Sequence, residues 1–401
     1  MGLEKRRLGQ KMSKRRISLL TLVLFGATLL SFTAGYYARD IWPPAAEQLS
    51  LVKEARHLLD IHYLDPLPDD LVLERGMIHG MMGVLGDPYS RYVEPAAHEI
   101  QSDDLVGEYA GIGAEIFKGE QGKFYLTPIE GGPAEAAGIL EGDILLAIDG
   151  VLIDIDATIE EIITLIRGPE GSVIRLTLAQ RTPQQSNIKL EITRAVIPLP
   201  SVSHLILPEE PWIGVISIRR FSEKTPSELE EAYRDLSGRG ARSIILDLRD
   251  NAGGLLDSSI ESSRLFLDDG LIVVEEWSGM ERQVFYVHER GLASEISMVI
   301  LVNAGTASAA EVVAASLQDN NRALLIGEAT FGKGSVQSIL ELRDGSSLHV
   351  TSARWLTPNG HVIDSSGLFP DIIVEQIESA VDNGIAVAVE WLREHIKDGQ
   401  G

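Results

Sequence analysis

The 401-residue chain reads as an α/β protein: a mostly parallel sheet covered by helices, a smaller β-rich domain inserted ahead of it, an N-terminal helical region and a single transmembrane helix. Three observations predict this. Over 198–375, apolar strand runs alternate with helices, the βαβ pattern of a parallel sheet. Over 105–197, short strands are set apart by glycine-rich turns. Over 17–38, an apolar run without a charge follows a basic leader.

The leader, residues 1–16, carries Lys5, Arg6, Arg7, Lys11, Lys14, Arg15 and Arg16 against Glu4 alone. The 22 residues behind it would rise roughly 33 Å as a helix, enough to span a bilayer core. Only Thr33-Ala34-Gly35 offers a small-residue cleavage site, so an uncleaved signal anchor is expected. The positive-inside rule then keeps 1–16 in the cytoplasm. Everything after Arg39 is sent outside the cell membrane, extracellular or periplasmic, in a single-pass arrangement. Net charge is −24, and with +6 in the leader the remainder sits near −30. So acidic a body excludes nucleic acid, whose phosphates need a basic patch. No cysteine is present, which excludes disulfides, thiolate catalysis and Cys-ligated metals.

Trp42-Pro43-Pro44 separates the anchor from the rest of a helical region over 39–104. Leu49, Val52, Leu58 and Leu59 recur at helical spacing, and a second helical stretch covers 71–85 before Gly86-Asp87-Pro88-Tyr89-Ser90. Packing or self-association, such as a homodimer through the N-terminal or C-terminal helices, is its expected role. Over 105–197 come the turn Gly111-Ile112-Gly113, a strand at 124–126, Gly131-Gly132-Pro133, a short helix at 134–137, and a strand closed by the Asp149-Gly150 turn. A helix at about 157–167 and strands at 175–178 and 189–193 follow. This order resembles a PDZ domain of the kind attached to bacterial proteases. Such domains add a peptide C-terminus as a strand and capture its carboxylate with loop N–H groups. The loop would be Gly111, Ile112 and Gly113. In the region 198–375, strands are predicted at 212–218, 243–248, 298–302 and 324–326, with helices at 223–236 and 308–319. The segment 376–401 reads as a C-terminal amphipathic helix, about 377–396.

The chemistry concentrates at two glycine-rich turns. In Leu301-Val302-Asn303-Ala304-Gly305-Thr306-Ala307-Ser308-Ala309-Ala310-Glu311, a buried strand runs through a small-residue turn into a helix starting at Ser308. A helix N-terminus favours negative charge, so Ser308 is a candidate nucleophile and the Ala309 N–H a candidate oxyanion donor. Taken alone, Ser308 also reads as a plain N-cap. Lys333 lies between two glycines in Thr330-Phe331-Gly332-Lys333-Gly334. Buried beside Ser308, its amine would lose its proton readily and act as general base. Gln337, four residues on and on the same face of an extended segment, would orient that amine. Gly327-x4-Gly332-Lys333 is not a nucleotide-binding P-loop, because Gly334 replaces the needed Ser or Thr and a strand pattern follows. Asp247-Leu248-Arg249-Asp250-Asn251-Ala252-Gly253-Gly254 ends another strand, and Gly253 or Gly254 would expose a second oxyanion N–H. Asp247 and Arg249 read as a structural pair. His204, His288, His349 and His361 read as solvent or loop histidines rather than members of a triad. No ligand cluster points to a metal, and no cofactor is expected.

These residues resemble the carboxyl-terminal processing peptidases, also called tail-specific proteases. The resemblance covers about 45–375 and is strongest at 247–254, 303–311 and 322–337, with further matches at 86–90 and Gly367-Leu368-Phe369-Pro370-Asp371. It implies a crotonase-like αβ core with an inserted PDZ domain. It also implies a catalytic dyad of a serine and a lysine 25 residues later, assisted by a glutamine four further on. Ser308, Lys333 and Gln337 show that spacing. The implied activity is cleavage of protein or peptide substrates near their free C-termini, without cofactor or metal. In related enzymes the PDZ domain gates or activates the site, and Arg167, in Leu165-Ile166-Arg167-Gly168, occupies a position expected to take part in that switch or in peptide binding. The alternative is a catalytically silent PDZ peptide-binding scaffold.

Overall fold

The computed structural model describes residues 49–181, 187–374 and 382–395. Residues 49–77 form a unit of their own. It holds helix α1 (Ser50–His62) and the start of α2 (Asp70–Gly83), joined where Arg56 donates to Asp70 at 2.7 Å. Leu58, Leu59 and Ile61 of α1 stay exposed. The second unit continues with β1 (Arg91–Val93) and α3 (Pro95–Val106).

The glycine-punctuated region folds as β2 (Glu108–Gly111), β3 (Ala114–Lys118), β4 (Phe124–Pro128), α4 (Pro133–Ala136), β5 (Asp143–Ile148), β6 (Val151–Leu152), α5 (Ile159–Ile166), β7 (Val173–Ala179), β8 (Asn187–Thr193) and β9 (Ala195–Pro198). Its sheet runs β3-β4-β5-β7-β8, with β6 beside β5, so β3 is an edge strand. Alternation along β7 buries Ile174, Leu176 and Leu178 against Ile162 and Ile166 of α5. Helix α5 starts on a capping box, Thr158 with Glu161. The antiparallel ribbon of β2 and β9 brings the entry and exit of this domain together, the geometry an insertion requires.

The last region holds β10 (Val202–Leu207), β11 (Glu210–Ile218), α6 (Thr225–Gly238), β12 (Ser243–Asp247), α7 (Leu256–Phe266), β13 (Leu271–Trp277), β14 (Gln283–Tyr286), β15 (Ser297–Val302), α8 (Ala309–Asp319), β16 (Leu324–Gly327), β17 (Ser335–Glu341), β18 (Ser347–Leu356), β19 (Ile372–Ile373) and α9 (Asn383–His395). One sheet runs β10-β11-β12-β15-β16-β19 and is parallel from β11 onward, as the βαβ pattern predicts. Ile244 and Leu246 point to the side of α6, α7 and α8, while Ile245 points to the side of α9. A second sheet runs β1-β18-β13-β14, with β17 beside β18.

Two expectations change. No helix of the described residues is long and apolar enough to cross a membrane. The longest, of 14 residues, rise only ~21 Å against a hydrocarbon core of about 30 Å. The single transmembrane helix is therefore not part of the fold established here, and the run at 17–38 lies outside the described residues. The C-terminal helix begins at Asn383, and its apolar face is taken by the chain's own sheet: Ala388 and Leu392 pack with Ile213, Val299 and Leu301.

Candidate active site

The turn between β15 and α8 is laced to the loop after β12. Thr306 Oγ1 donates to Leu248 O at 2.9 Å, Asp250 N donates to Asn303 Oδ1 at 2.9 Å, and Ala307 N donates to Asn251 O at 2.9 Å. These bonds hold Ser308 at φ 55° and ψ −120°. Such a conformation costs a non-glycine residue roughly 1–3 kcal/mol and persists only where its surroundings impose it. It places the serine on the strand–turn–helix corner typical of an exposed nucleophile.

Ser308 lines a cleft of about 470 Å³ together with Lys333, Gln337, Ala309, Gly253 and Gly254. All the catalytic and oxyanion candidates read from the sequence thus meet in one place. Lys333 reaches it from the loop between β16 and β17. Gly332 has φ 84°, and a Cβ there would meet Gly367 N at 2.7 Å, so only glycine lets the loop pack so closely. Gly334 N donates to Asp364 Oδ1 at 2.8 Å, and Trp355 Nε1 donates to Lys333 O at 3.1 Å. Lys333 Nζ donates to Gln337 Oε1 at 2.8 Å and lies 5.4 Å from the centre of the Tyr89 ring. Gln337 Nε2 in turn donates to Tyr89 O. Burial, joined by the charge of Arg91, holds the Lys333 amine below the ordinary lysine value, against the opposing pull of Asp87 and Glu311.

Glu311 ties the two loops together. It is 0% exposed. One carboxylate oxygen accepts from Ser308 N at 2.8 Å and Lys333 N at 2.9 Å. The other accepts from Gly332 N at 2.8 Å and from Thr330 Oγ1. The Ser308 turn and the Lys333 loop are therefore fixed by the same side chain.

Ala309 opens α8 and lines the cleft, and the first N–H groups of a helix have no intrahelical acceptor. Gly253 N already donates to Asn251 Oδ1 at 2.9 Å, which leaves Gly254 as the better second donor of the pair. Gly253 serves by being small: a Cβ there would stand 2.8 Å from Ser308 Cβ and 3.1 Å from Ala309 N.

His349 departs from the sequence reading. It is 6% exposed on β18, directly across from Arg91, and lines the cleft. Burial, then Arg91, His98 and Lys333, push its imidazole down to about 4, so it is neutral at ordinary pH. Arg249 pairs with Asp247 through both carboxylate oxygens and with Asp382, as a structural pair should. The loop at Lys333 is followed by strand β17, not by the helix a P-loop needs.

The PDZ-type region has its own groove of about 430 Å³ between edge strand β3 and α5, lined by Ile112, Ala114, Ile116, Ile163, Ile166 and Arg167. Gly111 is spent on the ladder opposite Ala195, and Gly113 turns the chain at φ 69°. Arg167 is nearly buried, stacks over Tyr109 at 4.4 Å and is ion-paired with Asp103 of α3. Sequence reasoning missed Glu311, Tyr89, Arg91 and His349 as parts of the site. Of these, only Glu311 left a local signal, as the third residue after Ser308 in a capping-box spacing.

The parallel sheet, the peptide-groove domain and the serine-centred cleft define a class: an α/β core with an inserted PDZ-type domain and a serine at the corner of its cleft. Residues 212–374 match peptidase family S41 and residues 124–180 match a PDZ domain. A "Probable CtpA-like serine protease" of Staphylococcus aureus is 34% identical over 329 residues, covering 82% of this chain and 65% of that protein. One of the same name from Staphylococcus haemolyticus is 36% identical over 301 residues, covering 75% of this chain and 59% of that protein. The chain thus spans less than two thirds of the length of these curated relatives. Among solved structures, a photosystem II D1 C-terminal processing protease is 29% identical with a TM-score of 0.46, covering 86% of this chain and 92% of that one. Residues 212–374 thus carry the match to peptidase family S41, and the chain is similar to CtpA-like serine proteases.

Proposed function

We propose that the chain is a serine endopeptidase that works with a Ser308–Lys333 dyad on protein substrates whose C-termini dock on the PDZ domain. The observation that carries this is the Lys333 amine. It is half-buried in the cleft that Ser308 lines, shifted by that burial toward its neutral form and held by Gln337.

The neutral amine takes the Ser308 Oγ proton as the oxygen attacks the scissile carbonyl. The N–H groups of Ala309 and Gly254 receive the developing oxyanion. The Lys333 ammonium then protonates the leaving amine. Water, deprotonated by the same amine, attacks the acyl-enzyme and releases Ser308. The groove beside β3 supports substrate choice, because an edge strand next to a helix accepts an extended peptide as an added strand. Ser308→Ala and Lys333→Ala are each expected to lower the rate on an unfolded protein by roughly 10³-fold or more while the circular dichroism spectrum is kept. Proteolysis undiminished in either variant would overturn the dyad.

A further inference from the structure

Lys333 is held by a turn that does not itself line the cleft. Gly86-Asp87-Pro88-Tyr89-Ser90 joins α2 to β1, and Asp87 closes it from within. Its Oδ1 accepts from Tyr89 N at 3.0 Å, and its Oδ2 accepts from Ser90 Oγ. The first of these bonds is an Asx-turn, in which a side chain fixes the backbone two residues on. Ser90 Oγ, having given its proton to Asp87, accepts from Thr351 N at 3.0 Å and so pins the turn to β18. Tyr89 O then accepts from Gln337 Nε2, and Gln337 Oε1 accepts from Lys333 Nζ at 2.8 Å. A backbone carbonyl can only accept and an ammonium can only donate, so the Gln337 amide has one orientation that serves both. That orientation exists because Tyr89 O is in place. Both oxygens of Asp87 are spent inside the turn, and among the described residues it forms no ion pair.

We infer that Asp87 is a positioning residue for the proposed catalytic amine: by shaping the turn that presents Tyr89 O, it orients Gln337 and through it places Lys333 Nζ. Asp87 also carries charge. Burial opposes its ionisation, but hydrogen bonds from the Ser90 hydroxyl and from the N–H groups of Tyr89 and Ser90 hold its carboxyl below the ordinary value. The charged groups facing the amine are therefore Asp87 of the turn and Glu311 of α8, which favour the ammonium, and Arg91 of β1, which with burial disfavours it. His349 of β18 also faces the amine and is neutral there. Geometry and charge separate in two variants. Asn at 87 keeps an oxygen for Tyr89 N and offers its NH₂ to Ser90 Oγ, so it keeps the turn and drops the charge. Ala drops both.

The inference rests on the Ser308–Lys333 reading, and the two can fail separately. The test is steady-state kinetics on one peptide across pH, with urea unfolding of each variant to check the fold. Asp87→Ala is expected to lower kcat roughly 10–100-fold with KM within about twofold, because the amine is displaced while the cleft walls stay. Asp87→Asn is expected to recover most of that kcat. Its rising limb should move to lower pH by a few tenths of a unit to about one, since one pull toward the ammonium is gone. Asp87→Ala added to Gln337→Ala should cost little beyond Gln337→Ala alone, because both act on the amine by one route. Losses that multiply independently, or an Asn variant as slow as the Ala variant, overturn the positioning role and leave the dyad standing. Should Asp87→Ala not fold, the limb of Asp87→Asn decides alone: a limb that stays put or moves up overturns the inference. A native chain that cleaves no peptide overturns the dyad reading and the inference with it.

Discussion

Three residues outside the proposed Ser308–Lys333 dyad bear on how it would work. Arg91 is the cation whose charge helps hold the Lys333 amine low. In Arg91→Ala that repulsion is gone, the ammonium is less disfavoured, and the amine titrates higher. The rising limb of the kcat/KM–pH profile should therefore move to higher pH, by a few tenths of a unit to about one. A limb that stays put, or moves down, contradicts the assignment. His349 carries a stability effect. Its folded-state value of about 4 lies below the ordinary 6.5, so between these pH values the unfolded chain binds the proton and the folded one does not. Stability falls as pH drops through that window, by ~1–3 kcal/mol. His349→Gln should show a shallower loss of urea midpoint from pH 6.5 to 4 than the native chain. Glu311→Gln leaves one oxygen for donors that both carboxylate oxygens now serve, and sets an NH₂ against at least one backbone N–H, that of Gly332. It should cost ~2–4 kcal/mol in urea unfolding and lower kcat roughly 10–100-fold, since it displaces the serine turn or the lysine loop.

At the scale of elements, the corner after β12 matters for its emptiness. Gly253→Ala places a methyl against Ser308 and the Ala309 N–H, at a φ of 106° that suits glycine. A loss of about 10²-fold in kcat is expected from the blocked oxyanion position, read by steady-state kinetics on a peptide. The comparison of sequence with structure is most informative here. Ser308, Lys333 and Gln337 were legible because each sits in a local pattern: a strand ending in small residues, a glycine-framed lysine, an extended four-residue step. His349 was not. It lies in a strand, and its burial comes from Arg91 of β1 on one side and Ile339 of β17 on the other. Tyr89, 248 residues from Gln337, is brought to it by the same sheet. Strand partners this distant leave no periodic trace in either segment.

At the scale of the molecule, α3 and β2 bridge the inserted domain and the larger parallel-sheet region. Asp103 pairs with Arg167 of the PDZ domain, Asp104 with Arg220 and Glu108 with Lys224 of the core. Arg220 and Asp104 line the Ser308 cleft, so the PDZ groove and that cleft are one helix apart. Arg167→Ala strands Asp103, whose carboxyl burial already pushes upward. Its kcat/KM should drop several-fold on a substrate with an apolar C-terminus and by less on an internal peptide lacking one. An equal drop on both would make the arginine a structural strut only.

The backbone at Ser308 has a consequence for descent. Its conformation suits glycine better than any residue with a β-carbon, so under the proposed dyad it is the hydroxyl's role that keeps a side chain there. A descendant that gave up cleavage while keeping its peptide groove would gain stability by drifting to glycine at this corner, not to alanine. Ser308→Gly should accordingly melt higher than Ser308→Ala, and a glycine after a strand ending like β15 would mark a silenced lineage.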